Sequence, residues 1–352
     1  MEVTSSSPAL SDFRPLSLGE LMDRSAGFWR SHWKQLFQLY VPFHLTGYLL
    51  LKLLVLAMRS WFPLFEGGLA LTSAIQHNPI EVVRQAAVGA SIGVPIFTLY
   101  IWVLWLASIA GSRYVIRICL GDAPSTGASV RYAFARVGPA TRALVLVVLL
   151  TLGVALLTAF VGFLIGLGAA MLRTLLPPNF GLGAGVLLVL FGLGLGFFVF
   201  LLGLLWFVLR FLLIAPVLAV EDLGAFGSLK RCGQLVSGRI GPGFMDRVKV
   251  RATVLVTVMM VVLIVVTSLG SLPSIFVTFA YSKPWDLAQY NPSAVPERLL
   301  IPAELLHVGV QSLFMPLYMT LACIFYLDMR VRREGLDLEL RLEALQRERA
   351  TP

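Results

Sequence analysis

Hydrophobic and polar positions divide this chain into long apolar runs and short polar connections. A helix needs about 20 consecutive apolar residues to cross the hydrocarbon layer of a membrane. Six runs reach that length with few charged residues, so the pattern predicts an all-α integral membrane protein with six transmembrane helices. The runs cover residues 36–58, 90–111, 143–171, 184–214, 252–280 and 302–326.

The basic residues alternate between the two sides that these runs define. Both ends of the chain, and the connections after the second and fourth runs, together hold 21 Lys and Arg residues, whereas the other three connections hold 5. Short cytoplasmic connections carry an excess of Lys and Arg, so we expect both termini to be cytoplasmic. The net charge of +9 is spread over these connections and forms no single basic patch. We therefore expect no nucleic-acid partner.

The segment before the first run has the pattern of an amphipathic helix. Over residues 18–40, large apolar residues recur at spacings of three and four, and charged residues take the other side. Ser17 followed by Glu20 matches a capping box, which predicts the start of the helix. Trp and Phe on one side with Arg and Lys on the other suit the headgroup boundary of the inner leaflet.

The same plan returns twice, in residues 124–150 and 221–244, with Gly19, Gly127 and Gly227 in register about one hundred residues apart. We predict three pseudo-repeats, each led by a cytoplasmic amphipathic helix; three unrelated interfacial helices are the alternative. The predicted organisation is an N-terminal tail (1–15), a six-span membrane domain (16–326, with repeat units of about 16–120, 121–220 and 221–326) and a cytoplasmic C-terminal helix (327–352).

Three stretches resemble a known group of proteins. They are RPLSLGELMDRSAGFWRSHW near the start, VEDLGAFGSLKRCGQLVSGRIG in the centre and FYLDMRVRREGLDLELRLEAL near the end. They resemble bacterial six-span membrane proteins related to the membrane domain of glycerophosphodiester phosphodiesterases. The resemblance implies a protein of the bacterial inner membrane with no agreed activity. No soluble segment is long enough for the phosphodiesterase barrel, so we do not expect that enzyme's activity here.

Motifs for catalysis are missing from the sequence. The four histidines are far apart and form no pair with zinc-ligand spacing, and no nucleophile-elbow motif occurs. We expect no catalytic residue, no metal and no cofactor. The glycine-rich stretches lie inside apolar runs and indicate close helix packing, with four-residue spacing at Gly162–Gly166 and Gly192–Gly196.

Two charged residues fall inside the runs, where a charge is costly. They are Lys52 in the first run and Arg210 near the end of the fourth. Each either extends to the nearest headgroups or lines a polar cavity between helices. Glu304 and His307, one turn apart in the sixth run, are a further polar pair, with an anchor at the membrane interface as the alternative.

The cytoplasmic basic residues are candidate contacts for anionic lipid headgroups or a protein partner. Arg24, Arg131 and Arg231 take nearly equivalent places in the three repeats. Positive-inside topology alone is the alternative explanation. In the C-terminal helix, Asp328 and Arg330 are expected to bond to the repeat helices and dock it. The full set of candidate headgroup or partner contacts is Arg24, Arg30, Lys34, Arg131, Lys230 and Arg231.

These observations favour a non-enzymatic protein that binds or organises membrane lipids, anionic ones included, or a membrane protein partner, a second copy among them. A transporter or channel for a lipid-like or apolar substrate is the second hypothesis. A lipid-acting enzyme is the third. Transport predicts a cavity lined by Lys52 or other intramembrane polar residues, whereas headgroup binding predicts lipid or a partner beside Arg24, Arg131 and Arg231.

Overall fold

The computed structural model describes residues 14–61, 78–175, 182–282 and 295–339, together with residues 342 and 346. Within these residues the regular structure is helical, and no β-strand occurs. The α-helices are α1 (Leu18–Trp61), α2 (Pro79–Cys119), α3 (Thr126–Ala135), α4 (Val137–Leu175), α5 (Leu182–Phe211), α6 (Ile214–Val220), α7 (Ala225–Val236), α8 (Val248–Ser282) and α9 (Glu297–Glu334).

Among the described residues, six helical stretches are long and apolar enough to cross a membrane, which confirms the predicted number of candidate spans. The chain is thus consistent with a multi-pass membrane protein. The fourth predicted run, 184–214, is interrupted because α5 ends at Phe211 and α6 begins at Ile214. The six stretches are Leu18–Met58, Pro79–Cys119, Val137–Ile165, Leu190–Val220, Val248–Ser282 and Glu297–Glu334.

The start of α1 confirms the predicted capping box. The Ser17 backbone N–H donates to Glu20 Oε2 at 2.7 Å, and the Glu20 N–H donates to Ser17 Oγ at 3.3 Å. Fourteen residues later the helix kinks at His32, whose backbone has φ −118° and ψ 17°. The first turns of α1 are attached to α9 through Trp29, whose indole N–H donates to the Leu313 carbonyl at 2.9 Å.

The chain divides into two compact units. The first comprises the chain up to Val137 and from Val254 onward. In it, α1 packs against both α2 and α9. The most apolar stretch of α9 is 61% buried, so α9 is the central helix of this unit. The closely packed core between the three helices contains Leu36, Tyr40, Ile109, Ile116, Phe325 and Tyr326.

The second unit runs from Gly138 to Thr253. Its helices α4 and α5 touch through Gly162 and Gly196: a Cβ atom on Gly196 would lie 2.8 Å from Gly162 Cα. This contact confirms the close helix packing that the glycine spacing indicated. Away from it, α4 and α5 expose large apolar side chains such as Phe160 and Phe197, as helices facing lipid do.

Helix α7 of the second unit buries Ser228, Cys232, Leu235 and Val236. The Cys232 thiol donates to the Arg210 carbonyl at 3.1 Å. Burial raises the pKa of this thiol to about 12, because the thiolate would lose its hydration.

The C-terminal helix departs from the prediction of one helix over 327–352. Helix α9 ends at Glu334, and Gly335 takes a left-handed backbone with φ 67°. Glycine adopts this conformation without a Cβ clash, and it commonly ends helices. A new helical turn follows over 336–339, with Leu336 buried and Leu338 58% exposed. Most of the remaining C-terminal residues lie outside the described part of the chain.

Candidate functional site

A stripe of polar side chains runs along one face of α1. Tyr40, His44, Tyr48 and Lys52 follow each other at four-residue spacing, which places them on one side of a helix. This side faces α9, because His44 Nδ1 lies 3.0 Å from Ser312 Oγ and Tyr48 Oη lies 2.9 Å from Glu304 Oε2. His44, Tyr48 and Lys52 therefore form polar contacts between two helices that are otherwise largely apolar, whereas the buried Tyr40 hydroxyl lies beside Gly111 of α2.

Lys52 is held between two carboxylates of α9. Its Nζ atom lies 2.6 Å from Glu297 Oε2 and 2.9 Å from Glu304 Oε2. The two glutamates are seven residues apart, which is two turns and hence one face of the helix. Only 10% of the Lys52 side chain is exposed. The Tyr48 hydroxyl donates to Glu304, so the cluster has one cation, two carboxylates and an additional donor.

One turn further along α9, His307 and Gln311 form a second polar pair. The Gln311 amide Nε2 lies 3.0 Å from His307 Nε2. This contact is a hydrogen bond between the two side chains, one turn apart on α9. His307 Nδ1 is buried and has no hydrogen-bond partner among the described residues. Buried polar atoms are normally hydrogen-bonded, so a polar ligand atom within hydrogen-bond distance of Nδ1 would be stabilised here.

A cavity of about 300 Å³ lies between α1, α2 and α9, and these polar groups form part of its lining. We term it the Lys52 cavity. Tyr100 of α2 also borders it, and Gly47 of α1 leaves room for that ring: a Cβ atom on Gly47 would lie 2.9 Å from Tyr100 Cδ2. The polar lining is His44, Tyr48, Lys52, Glu304, His307 and Gln311, and the apolar lining is Leu51, Val55, Leu300 and Val308.

The structure thus brings Lys52 together with Glu304 and His307, which the sequence had marked separately. Of the two alternatives for Lys52, the geometry is that of a side chain lining a cavity. Sequence reasoning missed Glu297, Tyr48 and the other lining residues. The four-residue spacing along α1 was a usable signal for Tyr48, whereas Glu297 could be found only by knowing that α1 and α9 are neighbours.

Arg210 lies in the second unit and takes part in a different arrangement. Its side chain is exposed, and its guanidinium lies over the Trp206 ring, 5.3 Å from the centroid. A Cβ atom on Gly233 would lie 3.8 Å from Arg210 Nη2, so the guanidinium is close to α7. The cation–π contact is typical of a partly solvated arginine.

The candidate headgroup contacts lie in both units. Arg24, Arg30, Lys34 and Arg131 are exposed in the first unit, and Lys230 is exposed in the second. Arg231 is half-buried, and its Nε atom donates to both carboxylate oxygens of Glu221, at 2.9 and 3.1 Å, so its charge is offset by that carboxylate. The equivalence of Arg24, Arg131 and Arg231 stays a prediction.

Asp328 contacts the start of the first predicted repeat unit, whereas the contacts of Arg330 described here lie within the C-terminal region. Asp328 is buried. Its carboxylate accepts hydrogen bonds from the Leu16 N–H at 2.8 Å and from Arg332 Nε at 3.0 Å. Arg332 also donates to the Leu16 carbonyl at 2.6 Å. Asp328 therefore fastens the N-terminal segment to α9. Arg330 pairs instead with carboxylates of its own C-terminal region, Glu334 at 3.1 Å and Glu339 at 3.7 Å.

Comparisons with protein-family models, curated proteins and solved structures found no match to this chain. The resemblance to the membrane domain of glycerophosphodiester phosphodiesterases therefore stays a prediction. Within the part of the chain that the structure describes, no group of three or more His, Cys, Asp or Glu residues could hold a metal ion.

Proposed function

We propose that this chain is a non-enzymatic, multi-pass protein of the bacterial inner membrane that binds an amphiphilic, lipid-like molecule in the Lys52 cavity. One observation carries the proposal: a single cavity combines an apolar wall with an ionised edge. Leu51, Val55 and Leu300 supply apolar surface, while Lys52 and Glu304 supply charge. A ligand that fits both surfaces has a hydrocarbon part and a polar head.

The charged cluster supports a binding role because it is expensive within apolar helices. Lysine and glutamate side chains in transmembrane helices commonly mark substrate or ion pathways. An apolar contact would join α1 and α9 at lower desolvation cost, since buried ion pairs seldom add stability over well-packed apolar residues. The buried His307 Nδ1 adds a polar atom that a ligand head can satisfy.

The test is native mass spectrometry of the protein extracted with its own membrane lipids. Wild type should retain a bound amphiphile. Leu51→Trp should lower the number of retained amphiphiles by one, because the indole fills the cavity that Leu51 lines. Leu53→Trp is the matched control, since Leu53 lies two residues on, on the far side of α1, and is 62% exposed. If both variants retain the ligand as wild type does, it binds elsewhere and the proposal fails.

Transport of the same class of ligand is the second candidate, and the polar stripe favours it. The cavity lining follows α1 from Lys52 through Tyr48 to His44, two turns beyond the charged cluster. Proteoliposomes containing a phospholipid with a fluorescent headgroup distinguish the two functions. Transport predicts that wild type moves the label between leaflets and that Lys52→Met does not, whereas binding alone predicts no movement in either.

The proposal includes both termini in the cytoplasm, as the distribution of Lys and Arg favours. It also includes the three repeats, which the first turns of helices α1, α3 and α7 support. Counting from their capping residues Ser17, Ser125 and Gly224, the fourth and eighth positions are buried in every case. These buried residues are Leu21, Ser129 and Ser228 at the fourth position, and Ser25, Ala133 and Cys232 at the eighth.

A further inference from the structure

We propose a second, separate ligand site at the other end of α1, α2 and α9, which binds the phosphate headgroup of an anionic phospholipid through Arg14 and Arg24. It does not rest on the Lys52 cavity. A cavity of about 190 Å³ lies at this end, and both arginines line it. We term it the Arg24 cavity. The remaining lining is Leu16, Phe28, Ile118, Cys119, Ile324, Leu327, Asp328 and Val331.

The charge at this cavity favours an anion. Arg24 is exposed on α1, and the Arg14 guanidinium donates to Glu20 while its side chain stays 66% exposed. Asp328 is the carboxylate in the lining, and it is offset by Arg332 and by the Leu16 N–H. Guanidinium groups bind phosphate oxygens with paired, charge-assisted hydrogen bonds. The two arginines therefore supply the donors that a phosphate needs.

The cavity is held in place by the contacts that fix the N-terminal segment. Asp328 accepts from the Leu16 N–H, and Arg332 donates to the Leu16 carbonyl, so both backbone groups of Leu16 are bound to α9. Arg14 is only two residues earlier, and the capped start of α1 follows at once. This arrangement brings Arg14 to the same cavity as Arg24, ten residues away along the chain.

The apolar lining favours a lipid over free phosphate. Leu16, Phe28, Ile324 and Val331 present hydrocarbon beside the two guanidinium groups. The cavity also lies at one end of helices that are long and apolar enough to cross a membrane. Lipid headgroups lie at the ends of membrane spans, and basic residues there attract anionic lipids. A free phosphate would use the arginines but leave the apolar surface exposed.

Native mass spectrometry with defined lipids tests this site. The delipidated protein is mixed with phosphatidylglycerol, with phosphatidylcholine or with inorganic phosphate. Wild type should bind phosphatidylglycerol in preference to phosphatidylcholine. Arg24→Gln and Arg14→Gln should each weaken that binding about tenfold, because each removes charge-assisted hydrogen bonds. The control is Arg30→Gln, which removes an exposed arginine of the same helix that does not line the cavity.

Three results would overturn the site. Equal weakening by Arg30→Gln would mean that general surface charge attracts the lipid. Competition by inorganic phosphate at the same concentration as lipid would identify an ion site. If wild type bound phosphatidylglycerol no better than phosphatidylcholine, the cavity would not be a site for anionic lipid. Arg24→Lys and a thermal melting curve for each variant separate loss of binding from loss of fold.

Discussion

Replacing Lys52 with Met removes the ammonium that lies between Glu297 and Glu304. At 2.6 and 2.9 Å, each carboxylate attracts the ammonium by about 6 kcal/mol at an effective dielectric constant of about 20. The cost of desolvating three ions offsets most of this attraction. After the substitution the two carboxylates lack the Lys52 ammonium, and removing one partner of a buried ion pair costs about 3–5 kcal/mol.

We therefore expect Lys52→Met to lower the free energy of unfolding by about 3–5 kcal/mol, as measured by denaturation in mixed micelles. The triple variant Lys52→Met/Glu297→Gln/Glu304→Gln should recover most of this loss, because no charge is then left unpaired. A loss of less than about 1 kcal/mol would match a solvent-exposed pair and refute the reasoning. A triple variant no more stable than the single one would refute it equally.

Three further predictions follow from local geometry. Gly196→Ala should lower the melting temperature markedly, because the added Cβ atom would meet the Gly162 backbone. Gly194→Ala is the control and should not lower it, because a Cβ atom there has no neighbouring atom within 4 Å. Gly47→Ala should displace the Tyr100 ring, which borders the Lys52 cavity, and reduce lipid retention in native mass spectrometry more than it lowers the melting temperature. Cys232 should resist maleimide at pH 8 until the protein is unfolded, because burial and a pKa of about 12 keep the thiol neutral; rapid labelling of its peptide in the folded protein would contradict this.

The apolar runs were sufficient to predict the six candidate spans, because the length of an apolar segment and its lack of charge are local properties. The Ser17–Glu20 capping box was predictable for the same reason. The break at Gly335 was harder to anticipate. The i,i+4 charge pattern of residues 333–347 suits a helix, yet a glycine in the left-handed conformation separates Arg333, in α9, from Asp337, in the next helical turn.

The candidate site could be predicted only in part. Lys52 was recognisable as a charge in an apolar run, but its partner Glu297 is 245 positions further along the chain. That pairing depends on which helices are neighbours, and helical periodicity carries no such information. The same limit applies to Arg231, whose carboxylate partner Glu221 lies beyond the i,i+4 spacing that helix geometry makes predictable.

The most direct test of the central claim is a cryo-electron microscopy structure of the protein in nanodiscs made from its own membrane lipids. Our account predicts elongated density in the Lys52 cavity, with its polar end within hydrogen-bond distance of Lys52, Glu304 or His307 and its tail along Leu51 and Val308. A cavity that holds only water, or that side chains of α1, α2 and α9 have closed, would contradict a lipid-binding function at this site.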